Sequence, residues 1–402
     1  MMGKIKETIK LIPGAVNIAR KIRGSPALIR KYISLRSKRK DALKQLQDWD
    51  KNDSKNPKSL PLQNRKHWQH KLNNMVIDLI NSSDSDGFSK AMCTIEAFYE
   101  SQIECLRPFH ESPSAEDVIL VTAVRNNASR IEHFLHHYRN IGVKHFAFID
   151  NGSTDNTLDM VMKQQDTACF KTLTAFNSER KTAWFNRVAA HYDPNMWFIL
   201  VDSDELLAYP EMTQLSIQEY TKVLQQKGID FVKTFMVDVY PNGPLMDDSM
   251  TDEEYLEACI YFDKAESYAY AKNKGALRSR LFVEKKAEKP NLNKPALLRL
   301  ANYFLLSSHY IFPKFANNVP HGAVVLHYKF LPSDRKNYID IVKDGAYHEN
   351  DLKIYDTINK KIETQQYINP MCELSVPFDF NEAWQHLPFV ANYTQIKNEG
   401  TK

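Results

Sequence analysis

Three acids, Asp202, Asp204 and Glu205, follow directly on the apolar run Trp197-Phe198-Ile199-Leu200-Val201. If the chain stays extended there, residues two apart project to the same side, so Asp202 and Asp204 share a face. Paired carboxylates are hard oxygen donors, the ligand type that suits Mg²⁺ or Mn²⁺. A D-x-D tripeptide also occurs in solvated acidic loops. The preceding run favours chemistry, because a buried strand rarely ends in three acids without a counter-charge. A phosphate-bearing substrate would supply the remaining oxygens, and the metal would neutralise charge developing on a leaving group.

Other polar groups are spaced to join that site. Arg125-Asn126-Asn127 follows the apolar run 118–124, and Asp150-Asn151-Gly152-Ser153 follows the run 145–149. The segment from Asp150 to Asp155 reads as a tight turn into a helix N-terminus. Gly152 permits unusual backbone angles there, and Ser153 or Thr154 can cap while Asp150 accepts hydrogen bonds from a base or from ribose hydroxyls. Asp238 follows the strand-like run 231–237 and is the candidate general base, with Glu205 behind it. Arg278 and Arg280 would face one way on a strand, either as a phosphate clamp or as a solvated basic face. His327 and Lys329 lie two apart on the late run 323–330. A neutral imidazole can complete a divalent site and a lysine can serve as a point charge for phosphate, although a histidine in a strand also reads as a core residue.

The elements that must position these groups alternate strand and helix from Val118 onward, the pattern of a parallel α/β sheet with crossover helices. The run 118–124 is compact and apolar, as a buried central strand requires. Ser129 begins a helix in which Ile131, Phe134, Leu135, Tyr138 and Ile141 follow the 3.6 period and stop at Gly142. Strands are expected over 145–149, 170–176 and 196–201, with helices around Val161 and Trp184. In open α/β sheets ligands bind beyond the carboxyl ends of the strands, which is where the polar clusters fall. The chain divides into a basic helical segment 1–45, a linker and helical region 46–112 (linker 48–61), an α/β domain 113–350, and a helical region and tail 351–402.

Taken together, Val124-Arg125-Asn126, Arg130-Ile131-Glu132-His133-Phe134-Leu135, Asp150 to Asp155 and Asp202-Ser203-Asp204-Glu205-Leu206 resemble family-2-type glycosyltransferases. The resemblance is to the branch that carries DNGSTD and D-x-DE. Asp238-Val239-Tyr240-Pro241, Arg278-Ser279-Arg280-Leu281-Phe282 and Leu326-His327-Tyr328-Lys329-Phe330 extend it over about residues 116–350. It implies a GT-A fold and transfer of a sugar, usually with inversion, from a nucleotide diphosphate donor such as a UDP-sugar. The acceptor would be a saccharide or glycolipid, and the setting surface polysaccharide or lipooligosaccharide synthesis. Carried over position by position, Asp150 and its neighbour Asn151 would bind the nucleoside, with Arg125 and Asn126 nearby. Asp202 and Asp204 would hold the metal and nucleotide, His327 would be a late metal or diphosphate ligand and Lys329 a diphosphate partner, while Arg278 and Arg280 stay as candidates for substrate binding. The sequence departs from the family at Asn127, where relatives often carry an acid, and at Ala276, where they often carry a second glycine after Gly275.

Residues 1–45 hold thirteen Lys or Arg against two acids, a local charge of +11, so the whole chain's +4 leaves −7 for the remainder. Ser25 and Pro26 can open a helix there, with Leu28, Ile29, Tyr32 and Ile33 on one face and Arg30, Lys31 and Arg36 around it. Such a helix lies well on an anionic membrane surface. No apolar run approaches the roughly 20 residues that a spanning helix needs, and no secretory signal is visible. The five cysteines form no CxxC pair, which argues against a disulfide framework. The expected location is the cytoplasm, peripheral on the inner face of the membrane. A sugar nucleotidyltransferase would need a glycine-rich loop where this chain reads Arg125-Asn126-Asn127-Ala128. A nucleic-acid-binding role would need a second basic surface, so no nucleic-acid partner is expected.

Overall fold

Pro26 opens a helix that runs without a break to Lys55 (α1, Pro26–Lys55). The computed structural model describes residues 26–283, 290–345, 349–364 and 367–395, with the side chains of 26–33, 344 and 349–351 left out. The Ser25 cap and the apolar face at Leu28, Ile29, Tyr32 and Ile33 therefore lie outside what is described. The expected linker over 48–61 is corrected in its first half, which is helical. Asp50 and Asp53 turn inward there and meet Arg65 of α2 (Arg65–Asn81) at 2.8 and 2.7 Å. Arg187 then reaches Asp53 from the far side at 2.9 Å, with both side chains fully buried. Helix α3 (Ser85–Tyr99), capped by Asp84, completes this helical layer.

The chain next builds one 11-stranded mixed sheet. In order come β1 (Glu104–Arg107), β2 (Val118–Val124), α4 (Ala128–Asn140), β3 (His145–Asp150), α5 (Thr157–Met162), β4 (Thr167–Lys171), α6 (Ser178–Ala189), β5 (Trp197–Leu200), β6 (Glu205–Ala208), α7 (Ile217–Gln226) and β7 (Phe231–Tyr240). Then follow α8 (Asp252–Ala258), β8 (Tyr261–Asp263), a ribbon of β9 (Tyr268–Ala269) and β10 (Lys274–Gly275), α9 (Ala276–Phe282) and β11 (Asn293–Arg299). A hairpin of β12 (Phe304–Ser307) and β13 (Tyr310–Phe312) leads to β14 (His321–His327), α10 (Asp334–Asp344), α11 (Glu349–Thr364), β15 (Ser375–Pro377) and α12 (Ala383–His386).

The spatial order is β1-β4-β3-β2-β5-β11-β7-β14-β6, with β8 on β7 and β15 on β8. Strands β4, β3, β2 and β5 are parallel neighbours. Strand β11 runs antiparallel to both β5 and β7, β14 is parallel to β7, and β6 is antiparallel to β14. The carboxyl ends of β2, β3, β5, β7 and β14 therefore share one edge with the amino ends of β11 and β6. That edge carries the site.

Both faces of the sheet are covered, so its strands are apolar at successive positions instead of alternating. On β2, Val118 and Leu120 join the core formed with Phe134 and Tyr138 of α4. Ile119 and Val121 join the opposite core, which holds Trp68 of α2, Phe98 of α3 and Trp184 of α6. A smaller core of Phe282, Phe330, Tyr338, Tyr355 and Ile358 packs the C-terminal helices beside the site.

Two element boundaries differ from expectation. The strand expected over 170–176 lies upstream as β4, because the chain leaves the sheet at Thr172, whose hydroxyl donates to the Ser101 carbonyl at 3.0 Å. Leu173 counted as apolar patterning but is 76% exposed. The late strand stops at His327, so Lys329 sits past the sheet in the turn toward α10.

Candidate active site

The acids of the 202–205 segment converge by a turn. Glu205 N–H donates to the Asp202 carbonyl at 3.0 Å, closing a tight corner between β5 and β6. The extended-chain expectation is thereby corrected: the acids meet because the backbone reverses. Ligand oxygens of Asp202, Asp204 and Glu205 lie within 4.8 Å of one another. Glu205, fully buried, accepts the Asp202 N–H at 2.8 Å and takes Lys294 Nζ at 2.7 Å. Its carboxylate fastens the turn, and it has no geometry for receiving a proton from a substrate.

Lysines balance Asp202. Lys181 Nζ, from the first turns of α6, lies 2.9 and 2.8 Å from its two oxygens, and Lys294 Nζ, at the start of β11, lies 3.2 Å away. Burial alone would raise this carboxyl, but the two ammonium groups hold it well below the usual carboxylate range. Burial pulls Lys294 down, and Asp202 and Glu205 outweigh that to push it up.

Asp204 faces the other way. His327 Nε2 lies 3.3 Å from its Oδ2, and Lys329 Nζ lies 3.9 Å from it. Burial again opposes ionisation, and His327, Lys329 and Arg130 together keep Asp204 well below its ordinary range. Arg130 is buried and bidentate on Asp334 at 3.0 and 2.5 Å, which ties α4 to the start of α10. Lys329 Nζ also lies 5.0 Å over the ring of Tyr355 and 5.6 Å over that of Tyr338.

The other ring nitrogen of His327 decides what the site can do. Nδ1 lies 2.7 Å from Asp238 Oδ1, the register partner of His327 across β7 and β14. Arg278 Nε donates to the second oxygen of Asp238 at 2.9 Å. Burial would raise Asp238, but Arg278 and His327 hold it far below the usual range. Asp238 is thus an ionised, doubly engaged carboxylate that accepts the Nδ1 proton and turns Nε2 toward Asp204. That arrangement corrects its expected role as general base, since both oxygens are occupied and its affinity for a proton is low. A carboxylate behind an imidazole is the usual support of a metal-ligating histidine. Two cis ligands on a six-coordinate Mg²⁺-sized ion, each about 2.1 Å from it, sit about 3 Å apart. The 3.3 Å between Asp204 Oδ2 and His327 Nε2 suits such a pair. The donor set fits a small divalent cation, with Asp204 and His327 better placed to hold it than the lysine-bound Asp202.

Along the same edge, the ends of β2 and β3 are stitched into one surface. Asp150 accepts the N–H groups of Gly152 at 3.1 Å and Ser153 at 3.1 Å, so Asp150 itself caps the turn. Gly152 has φ +73°, as the turn reading required. Asn126 has φ +56°, a left-handed conformation that Asn tolerates, and its Oδ1 accepts Thr154 N–H at 2.8 Å. Asn151 Nδ2 donates to the carbonyls of Thr172 and Thr174 at 3.0 Å each. Arg125 is exposed at the end of β2. The exposed Leu173 lies beside this turn, with Cδ2 3.5 Å from where a Cβ on Gly152 would stand.

Arg278 and Arg280 lie on the short helix α9, which corrects the strand expectation. Arg280 points to Asp263 at 3.0 Å, away from Asp238. Position 276 is left-handed, with φ +55°, which explains why a glycine suits it, although here it is alanine. Lys181, Lys294 and Asp334 escaped sequence reasoning, and Arg130 entered it only as part of a motif, with no role at the site. They are isolated charges on separate elements, and no spacing links them.

No protein-family model matches this chain, and no curated protein matches it. Among solved structures, similarity extends to TarS 1-349 of S. aureus, at 12% identity and a TM-score of 0.28, covering 62% of this chain and 73% of that one. It also extends to HddC from Yersinia pseudotuberculosis, at 11% identity and a TM-score of 0.28, covering 55% of this chain and 96% of that one.

No helix among the described residues is long and apolar enough to cross a membrane. Away from these groups, a concavity of about 730 Å³ opens where α1, α3 and α6 meet, lined by Trp49, Asn52, Glu96, Glu100, Asn177 and Arg180 among others.

Proposed function

We propose that this chain is a divalent-metal-dependent glycosyltransferase of GT-A type. It would move a sugar from a nucleotide diphosphate donor, a UDP-sugar by family resemblance, to a saccharide or glycolipid acceptor. The observation that carries the proposal is the Asp238–His327–Asp204 line at the carboxyl edge of the sheet, the same edge on which the DNGSTD segment turns. Asp204 and His327 would hold Mn²⁺ or Mg²⁺, which when bound neutralises charge on the departing diphosphate. Asp238 and Arg278 orient the imidazole, and Lys329 stands beside Asp204 where a phosphate oxygen would meet its ammonium. Lys181 and Lys294 fix Asp202 so that its carboxylate keeps one position at the donor.

At the nucleoside end, Asp150 and Asn151 shape the turn, while Arg125 and the exposed Leu173 are the side chains free to meet a base. The +11 charge of residues 1–45 supports a peripheral place on the inner face of an anionic membrane, where a lipid-linked acceptor of surface polysaccharide or lipooligosaccharide synthesis would be met.

The test is a screen of nucleotide sugars for hydrolysis and transfer with and without Mn²⁺. Stimulation by metal and loss with Asp204→Ala are expected, and full turnover in excess chelator would reject the metal role. Nucleotide binding with no sugar transfer to any saccharide or lipid acceptor would reject the transferase reading.

A further inference from the structure

The N-terminal helix does not end its basic character at the edge of the described chain. Arg36, Lys38, Lys40 and Lys44 are exposed along α1, and Lys38 Nζ lies 4.1 Å over the ring of Phe88 on α3. Arg39 reaches Asn81, the last residue of α2, so this part of α1 is fixed to the corner where α2 hands over to α3. At that same corner Asp84, the cap of α3, is ion-paired with Lys314. The next residue, Phe315, is 72% exposed, while its neighbour Ala316 is buried and anchors the turn in the core. Lys38, the half-covered ring of Phe88, Lys314 and the nearly bare Phe315 thus follow one another around this corner, with Arg36, Lys40 and Lys44 exposed on the outer side of α1. Lys90, two residues past Phe88 on α3, is exposed as well, and its charge acts on Asp84. Asp41, Asp78, Asp84 and Asp86 are acids near these positions, and Asp84 is already paired.

The corner is connected to the active edge through the β12–β13 hairpin. Phe315 follows the hairpin β12–β13, and within that hairpin His309 Nδ1 lies 2.7 Å from the Asn293 carbonyl. Tyr310, half exposed at the hairpin tip, receives Asn291 Nδ2 on its hydroxyl at 3.0 Å. Asn293 precedes Lys294, which holds Asp202 and Glu205. The turn that carries Phe315 is thus joined through this hairpin to the strand that carries Lys294.

We propose that this face is a docking surface for an anionic lipid bilayer, with Phe315 entering the interface and the α1 cations meeting the headgroups. The chemistry suits a bilayer because it pairs clustered Lys and Arg with a projecting apolar ring, the combination that interfacial elements use. Residues 1–25 carry six further cations in sequence. The inference rests on the membrane reading of the N-terminal segment and locates the folded part of that contact.

The experiment is co-sedimentation of the full chain with phosphatidylserine/phosphatidylcholine vesicles at low and high salt, against pure phosphatidylcholine. Phe315→Ser should weaken binding roughly tenfold, the value of burying much of a phenylalanine ring. The triple variant Arg36→Glu/Lys38→Glu/Lys40→Glu should weaken it roughly a hundredfold at low salt, at about fivefold for each cation. Lys222→Glu, an exposed lysine on α7 across the sheet, should change nothing. Wild-type binding that neither the Phe315 variant nor the triple variant reduces would overturn this face and leave the N-terminal reading intact. A wild-type chain that ignores anionic vesicles at low salt would overturn both. Tight binding to a short RNA duplex, lost in the triple variant and kept in Phe315→Ser, would assign the face to nucleic acid and also overturn the proposal. Because Phe315 is exposed, unchanged thermal unfolding of Phe315→Ser shows that folding is not the cause.

Discussion

Nδ1 of His327 lies 2.7 Å from Asp238 and Nε2 lies 3.3 Å from Asp204, so a single ring joins an inner carboxylate to an outer one. The inner one accepts and orients, and the outer one stands with the ring where a cation would bind. This division predicts different losses. Asp204→Ala and His327→Ala each remove a donor and should abolish measurable Mn²⁺ binding in a calorimetric titration. Asp238→Asn keeps the shape but removes the charge behind the ring, and should weaken Mn²⁺ by about 10–100-fold. Equal Mn²⁺ affinity in Asp238→Asn and wild type would return Asp238 to another role. Lys329→Met should weaken UDP binding by about 10–100-fold, the usual worth of a hydrogen bond to a charged group. Unchanged UDP affinity by calorimetry would assign Lys329 to its contacts with Tyr355 and Tyr338 alone.

At the scale of elements, the helical layer before the sheet is part of the fold, because α1 and α6 share a fully buried ion pair, Asp53–Arg187. Burial lowers the Arg187 guanidinium, and Asp53 offsets this in part. Removing the acid leaves a buried cation without its partner, so Asp53→Ala should cost about 3–5 kcal/mol in a denaturant titration. A loss under 1 kcal/mol would mean that the layer is loosely attached. Helix α9 depends on Gly275, whose φ is +132° and whose added Cβ would stand 2.6 Å from the Ser267 carbonyl and 2.7 Å from the Tyr268 Cα. Backbone atoms cannot swing aside as a side chain can. Gly275→Ala should therefore lower the melting temperature and disturb Arg278 with it, which a drop in Mn²⁺ affinity would report. Wild-type stability in this variant would show that the ribbon β9–β10 can shift.

For the molecule as a whole, His321, which is buried, and His137 and His309, which are half-buried, give a dependence on pH. Burial lowers His137 to about 4, His309 to about 4 and His321 to about 3, with weaker offsets or additions from their neighbours. In the unfolded chain these rings take up protons below about 6.5, while the folded chain refuses them down to about 4. The unfolded state thus binds more protons in that window, and stability should decline as pH falls from about 6.5 to 4. The depressed carboxylates Asp204 and Asp238 add to the loss below about 4, once their unfolded counterparts take up protons. Urea midpoints at pH 7.5, 6.0 and 5.0 should fall in that order, and a flat profile would contradict the burial of these rings.

Local patterning in the sequence determined the strand–helix alternation, the central position of β2, the Gly152 turn and the grouping of polar residues at strand ends. Each depends on neighbours a few positions apart: period, turn chemistry and the apolar runs of a sheet covered on both faces. The tertiary structure alone decided which charges pair. Lys181 and Lys294 lie 21 and 92 positions from Asp202 and meet it because β5 and β11 are neighbours and α6 packs alongside. Asp238 read as a base because it follows an apolar strand; it became an orienting group only when β14 placed His327 opposite it. The acids at 48–55 read as a solvated linker because their partners, Arg65 and Arg187, arrive later in the chain. Ion pairs carry no sequence period, since Coulomb attraction depends on distance in space and on exclusion of water, and both come into being only when the sheet assembles.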